Sequence, residues 1–544
     1  MSVSVLGEAQ KDSVVPVADI TILAESAGLT IPSAELNDWS ILLSGLNACA
    51  KDVLAIPDYF PVPDLSLYPR TNIHLPPSAD REKGGWAWKA HVISTAPTSE
   101  LLKGKTIALK DNIALAGVKC TNGTEAVDWT PEVDATLVTR ILDAGGEILG
   151  KAACENNCFG AVSDTSCTGT VHNPYAEGYS SGGSSSGSGR LVGIGAVDIS
   201  VGADQGGSIR LPSAHCGLVG LKPTWGLVPY TGCISLEATI DHVGPMAKNV
   251  QDCATLLEVM AGADGIDDRQ PYDWASGKVK FGADVKAHVE KAGDLPLKGV
   301  KVGVLKEGFE MDGADKNVAA ASRAAIVKLE ELGARVKDIS IPLHKDSGMI
   351  WMVALPLSGT TQGLLANPSG RKQLLFPTRA KSVGTSLSQS AFEALGPGGQ
   401  NIYLRGLFLR QHFGAPLHAR CTNLLRKLSD SYDAALHEVD VLVMPTTLNP
   451  PCKILEAGGK TLGPLKMLGR TIGATANTAT FNSTGHPGLS LPVGWVPAKE
   501  DAKVWLPTGM QIVGRKFGDL EVLKVAASWE GAYKWKELKY GEGV

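Results

Sequence analysis

The chain has 544 residues, with 51 Lys plus Arg against 56 Asp plus Glu, a formal net charge of −5, 44% apolar and 20% charged residues. This is an ordinary globular composition, long enough to bury a core without a disulfide framework and without the basic excess that nucleic-acid binding requires. No run of about 18 apolar residues marks a membrane span, and Met1–Asp12 lacks the basic-then-apolar pattern of a secretory leader, so no membrane association is expected.

Residues 17–57 read as helices. Ile20, Leu23, Ala24 and Ala27 share one face; Leu42, Leu43 and Leu46 continue the pattern in a second segment, with Ser33 as its expected N-cap. Residues 58–88 change character: Asp58-Tyr-Phe-Pro-Val-Pro-Asp, Tyr68-Pro-Arg and Leu75-Pro-Pro read as an extended connector. The sequence thus divides into a helical N-terminal element with its connector, 1–85, and a body, 86–544. Trp86 and Trp88 are expected to pack at the junction.

In the body, Lys105-Thr-Ile-Ala-Leu-Lys110 reads as a buried strand closed by the turn signal Asp111-Asn112. Ala135–Ala144 reads as a helix, with Asp134 as N-cap and Leu137, Val138, Ile141 and Leu142 on one face; Gly145-Gly146 ends it, and Glu147–Lys151 follows as a strand. Ala196–Gly202, Lys301–Leu305 and Val439–Pro445 are further strands; Asn317–Leu332 and Leu417–Leu436 are further helices. Helices alternating with strands predict an α/β fold: a three-layer α/β/α body with a large mixed, twisted sheet flanked by helices. Residues 345–415 are weakly patterned and are expected to form a small subdomain. The ten Cys show no small-scaffold spacing and read as free thiols in a reducing, cytoplasmic setting. Cys154 and Cys158, with Cys167 and His172 nearby, do not match zinc-site spacing, so no metal is expected.

Glycine is enriched, 62 residues in all, and clusters in two segments. The first is Ser180-Ser-Gly-Gly-Ser-Ser-Ser-Gly-Ser-Gly189. It is no flexible linker, because the core-like Leu191-Val-Gly-Ile-Gly-Ala-Val-Asp-Ile follows at once, and neither nucleotide-binding fingerprint is satisfied. Gly183-Ser-Ser-Ser-Gly187 fits the nucleophile-elbow spacing, but a loop precedes it where that motif needs a strand. The second segment, Gly202-Ala-Asp-Gln-Gly-Gly-Ser208, follows a strand. Two glycines permit a tight turn, such a turn can aim successive N–H groups into one concavity, and a serine at its end would stand beside an oxyanion hole. No histidine sits in a motif with this serine. Lys110, at the end of a buried strand, is the alternative base, since burial favours the neutral form of a lysine.

These segments resemble the amidase signature family. The resemblance rests on Gly182-Gly-Ser-Ser-Ser-Gly-Ser, Gly206-Gly-Ser-Ile-Arg-Leu-Pro-Ser and Cys216-Gly-Leu-Val-Gly-Leu-Lys-Pro-Thr. It extends to Ala108-Leu-Lys-Asp-Asn112, Val441-Leu-Val-Met-Pro-Thr-Thr447, Asn482-Ser-Thr-Gly-His-Pro487 and Leu506–Arg515, spanning roughly residues 95–520. The connector at Tyr68-Pro-Arg and the segment Thr239–Pro245 look most similar to broad-spectrum bacterial amidases with a helical N-terminal domain used in dimerisation.

The resemblance implies hydrolysis of aliphatic or aromatic carboxylic amides through an acyl-enzyme, by a Ser–cis-Ser–Lys triad. Ser208 falls at the nucleophile, Ser184 at the bridging serine, 24 residues earlier, and Lys110 at the base. The N–H groups of Gln205, Gly206, Gly207 and Ser208 would form the oxyanion hole; Cys158, Phe159, Gly160 and Gln205 would border the substrate; and Asp204 with Arg210 would brace the turn. His215 and Cys216 would pack behind the site, and His242 and His486 would be structural. Ser186 stands where the family usually has glycine, and Gly189 where alanine is common, with effects expected on the backbone alone. The chemistry needs no cofactor; the expected partners are a small amide or carbamate and a second copy of the chain. Carbamate or ester hydrolysis, a non-catalytic binder and a role as one component of an amidotransferase remain open alternatives.

Overall fold

The computed structural model describes residues 11–78, 81, 83–271, 274, 277–367, 369–376, 386–455 and 463–541. The opening residues 1–10, part of the 345–415 segment and the terminal residues 542–544, all read above from sequence, lie outside them. The chain divides into two compact units, Met1–Pro61 and Val62–Val544.

The first unit is a helix pair, α1 (Val17–Ser26) and α2 (Leu36–Ala55). Ile20 and Ala24 of α1 are buried, as are Ser44 and Gly45 of α2, where small residues let the helices approach. Ser44 Oγ accepts from the Val15 N–H at 2.8 Å, and Ser40 Oγ donates to the Val15 carbonyl at 2.6 Å. Leu23 and Leu46, read as facing inward, are exposed. Ser33 does not cap α2: it lies in the preceding turn, and Glu35 takes the cap position without a side-chain hydrogen bond.

The second unit is built on one twelve-stranded mixed sheet. In chain order the strands are β1 (Arg70–His74), β2 (Trp86–Val92), β3 (Thr106–Lys110), β4 (Glu147–Ala152), β5 (Ile199–Asp204), β6 (Val219–Lys222), β7 (His242–Ala247), β8 (Lys301–Leu305), β9 (Arg335–Ile339), β10 (Val441–Pro445), β11 (Gly488–Pro497) and β12 (Trp505–Gly514). Their spatial order is β1-β2-β4-β3-β5-β7-β6-β11-β12-β10-β8-β9. Pairs β3–β4, β3–β5, β8–β10 and β8–β9 are parallel, and the rest are antiparallel. Strands β5, β6, β7 and β10 are buried throughout, the signature of a sheet covered on both faces. Helices do the covering; Gly414–Glu438, for example, buries Cys421, Leu428 and Tyr432 along one stripe. The protein is an α/β fold of the three-layer kind.

Three local expectations need correction. The proline-rich stretch is not all connector: Arg70–His74 pairs antiparallel with β2. It is an edge strand, a position that tolerates neighbouring prolines. Trp86 does not mark a junction; it is buried with Ala108, Ala152 and Leu191 inside the second unit. Asp134 does not cap the helix Thr136–Asp143, whose cap position falls on Ala135; its carboxylate instead accepts from the Ala116 N–H at 2.8 Å and pairs with Arg70.

All ten cysteines are free. Among the described residues, no helix is long and apolar enough to cross a membrane.

Candidate active site

Strands β4, β3 and β5 run parallel side by side, so their C-terminal ends open on the same edge of the sheet. Crevices beyond such ends are where open α/β sheets bind ligands. Lys110 is the last residue of β3. β4 leads into the segment carrying Cys158, Phe159 and Gly160, and β5 leads into Gln205–Ser208. Sequence distance and spatial distance part company here, because three chain segments meet at one edge.

Lys110 is wholly buried, and its Nζ donates to Ser184 Oγ at 2.7 Å and to the Ala203 carbonyl at 3.2 Å. The other lysine nearby, Lys151 on β4, is paired with Asp111 at 3.3 Å, so Lys110 is the one that reaches a serine. The Gly183–Ser184 peptide bond is cis. The Ser184 loop is stitched to its surroundings: the Ser184 carbonyl accepts from the Glu155 N–H at 3.1 Å, and the Ser185 N–H donates to the Ser208 carbonyl at 3.3 Å. The helix that follows, Ser186–Ile194, lies so close to the sheet that a Cβ on Gly187 would sit 2.3 Å from the Gly85 carbonyl oxygen. That contact is the physical reason for glycine there. Ser208 carries no hydrogen bond from its side chain among the described residues and lines the cavity described below.

The turn bearing Ser208 is held from beneath. Asp204, at the end of β5, accepts from the N–H groups of Gly207 (2.6 Å) and Ile209 (3.1 Å). Arg210 grips the same carboxylate with two nitrogens, at 3.0 and 2.9 Å. Burial opposes the ionised form, but the Arg210 guanidinium outweighs it and holds the Asp204 carboxyl well below the usual carboxylate range. Arg210 also donates to Asn482 (2.7 Å) and Gln511 (2.8 Å), and Asn482 donates back to Asp204 at 2.8 Å. These bonds account for two motifs singled out in the sequence, around Asn482 and Gln511.

The oxyanion expectation needs one correction. The Gly207 N–H is spent on Asp204, which leaves those of Gln205, Gly206 and Ser208. The Gln205 carbonyl accepts from Trp351 Nε1 (3.3 Å) and the Gly206 carbonyl from Thr478 Oγ1 (2.6 Å). In a planar trans peptide the carbonyl and the following N–H point in opposite directions, so the first of these bonds fixes the direction of the Gly206 N–H. The Gln205 side chain donates to Tyr230 (2.9 Å) and Asp241 (3.1 Å), while its Oε1 is buried without a donor.

A cavity of about 550 Å³ opens over this turn. Cys158, Phe159, Gly160, Gln205, Gly206, Gly207 and Ser208 all line it, as does Gly183. Much of its wall comes from residues the sequence reading did not place: Trp351, Met352 and Leu355 on the helix His344–Gly359, Ile402 and Arg405 on the helix Gly396–His412, and Leu465 with residues 467–473. No histidine bonds to Ser208 among the described residues. His486 is held between Thr484 and Asp433, each at 3.0 Å, and His242 is fixed by the Ile240 carbonyl. His215 is buried against Gly182, and burial lowers it to about 4.

Comparison with known proteins points the same way. The amidase family model matches residues 87–523. An enantioselective amidase of Rhodococcus rhodochrous is 40% identical over 440 residues, covering 78% of this chain and 79% of the relative. A component of the glutamyl-tRNA(Gln) amidotransferase of Synechococcus sp. (strain CC9902) is 34% identical over 433 residues, covering 79% of this chain and 83% of the relative. Among solved structures, the native peptide amidase of Stenotrophomonas maltophilia superposes with a TM-score of 0.62 at 26% identity, covering 79% of this chain and 83% of its own.

Proposed function

The chain belongs to the amidase family and is an amide-hydrolysing enzyme, and we propose that it cleaves small aliphatic or aromatic carboxylic amides through an acyl-enzyme on Ser208. The observation that carries this reading is the buried 2.7 Å contact between Lys110 and Ser184, set beneath the turn that presents Ser208 to the cavity.

With Lys110 neutral, its amine takes the Ser184 proton as Ser184 takes that of Ser208, and Ser208 Oγ bonds to the carbonyl carbon. The N–H groups of Gln205, Gly206 and Ser208 receive the negative oxygen; each such donor is worth about 10²–10³ in rate. The proton returns along the relay to the leaving nitrogen, the C–N bond breaks, and amine or ammonia departs. Water then adds to the ester by the same route and releases the acid. Gln205, which lines the cavity, borders the substrate.

The helical N-terminal unit serves self-association into a homodimer: Ile22, Leu23, Trp39, Ile41, Val53 and Leu54 are exposed along it. The free thiols suit a reducing cytoplasm.

A substrate panel on purified protein, with Ser208→Ala as control, tests the reading. Hydrolysis of isobutyramide and benzamide that is lost in Ser208→Ala is the expected result; turnover confined to carbamates or esters would replace amides as the substrate class. The likeness to an amidotransferase component favours a second reading, amide transfer within a complex, and copurification with a stoichiometric partner would support it.

A further inference from the structure

The cavity above Ser208 contains four charged side chains among its described lining residues: Glu155, Asp164, Arg405 and Arg470. Three are accounted for. Asp164 and Arg470 form an ion pair at 2.7 Å. Glu155 is completely buried, accepts from Thr165 Oγ1 at 2.9 Å, and burial pushes it up to about 7. Arg405 is different. It projects from the helix Gly396–His412, is half-buried, and forms no hydrogen bond, ion pair or aromatic contact among the described residues. Burial alone perturbs it, downward, with no acidic group to offset the effect.

A guanidinium that loses water without gaining a partner is held at a cost. An anion delivered by a ligand would remove that cost. The planar fork of Arg matches a carboxylate in two parallel hydrogen bonds, and the same wall carries the apolar Met352, Leu355 and Ile402 beside the polar Asn401.

We infer that Arg405 is a specificity residue, and that the preferred substrates are amides bearing a carboxylate remote from the scissile bond, joined to it by an apolar aliphatic or aromatic spacer. Ser208 meets the amide at the floor, the apolar wall takes the spacer, and Arg405 takes the carboxylate. The inference rests on the amide reading above. Monoamides of dicarboxylic acids have this chemistry, and the cavity volume accommodates an aromatic ring.

Matched pairs test it: terephthalic acid monoamide against benzamide, and adipic acid monoamide against hexanamide, with the full chain as wild type, Arg405→Leu, Arg405→Gln and Arg405→Lys. In wild type the carboxylated member is expected to show the higher kcat/KM. In Arg405→Leu and Arg405→Gln that ratio is expected to fall by about tenfold or more, mostly through KM, with partial recovery in Arg405→Lys. A ratio unmoved by both neutral substitutions overturns the inference. Calorimetric titration of terephthalic acid monoamide into Ser208→Ala, with and without Arg405→Leu, reads the same contact without turnover. If no amide is hydrolysed but binding weakens about tenfold on loss of Arg405, the amide reading fails and the carboxylate site stands. Equal binding in the two backgrounds overturns the site.

Discussion

Asp204 shows how much of the site depends on groups that never touch a substrate. Its carboxylate holds two backbone N–H groups of the turn that carries Ser208 and is itself held by Arg210 and Asn482. Replacing it by alanine strands the Arg210 charge in the interior, which typically costs about 3–5 kcal/mol, so Asp204→Ala should lower the urea midpoint sharply and remove turnover. Asp204→Asn, keeping the shape, should retain more stability than activity. Glu155 gives a second residue-level prediction. Its folded value of about 7 lies above the ordinary 4.5, so between those values the folded state binds more protons than the unfolded. Stability contributed by this group is therefore present at low pH, falls as pH rises from about 4.5 through 7, and levels off above. Comparing urea unfolding of wild type and Glu155→Gln at pH 5 and pH 8 should show wild type losing more on going to pH 8, by about 3 kcal/mol at most. A difference between the two proteins that does not change with pH would contradict the assignment.

At the scale of elements, the turn after β5 is the part most constrained. Gly207 has φ of 136°, and a Cβ there would fall 2.2 Å from Leu211 Cδ1 and 2.4 Å from Thr478 Oγ1. Gly207→Ala should cost about 1–3 kcal/mol from backbone conformation alone, and kcat should fall with it because the flanking N–H groups lose their aim; unchanged kcat would show that the turn tolerates displacement. The turn is plain in the sequence because a strand, two glycines and a serine follow one another at fixed spacing. Strands such as Lys301–Leu305 are equally readable, being short apolar runs between turn signals. The cavity wall is not. The helix His344–Gly359 carries apolar side chains that meet the cavity as well as the core, so no single stripe marks its face. Arg70–His74 escapes sequence reading for the opposite reason: it is polar and proline-flanked, and only pairing with β2 makes it a strand. Gly207 reads as an oxyanion donor in sequence because the competing acceptor, Asp204, can be recognised only once the turn is folded.

For the whole molecule, every residue of the proposed relay and every described residue lining the cavity lies within Val62–Val544. A truncation to residues 62–544 should therefore keep the chemistry and lose self-association: light scattering at micromolar concentration should give a dimer for the full chain and a monomer for the truncation. A monomeric full chain would remove the role given to the N-terminal helices. One serine, among the many in the glycine-rich segments, is proposed to become covalently attached to the acyl group. Treating the full protein with a fluorophosphonate and measuring its intact mass, then mapping the adduct by peptide mass spectrometry, tests it most directly. A single adduct on Ser208, absent from Ser208→Ala and strongly slowed in Lys110→Ala, is the expected result; an adduct on Ser185 or Cys158, or none, would overturn the assignment of Ser208 as the nucleophile.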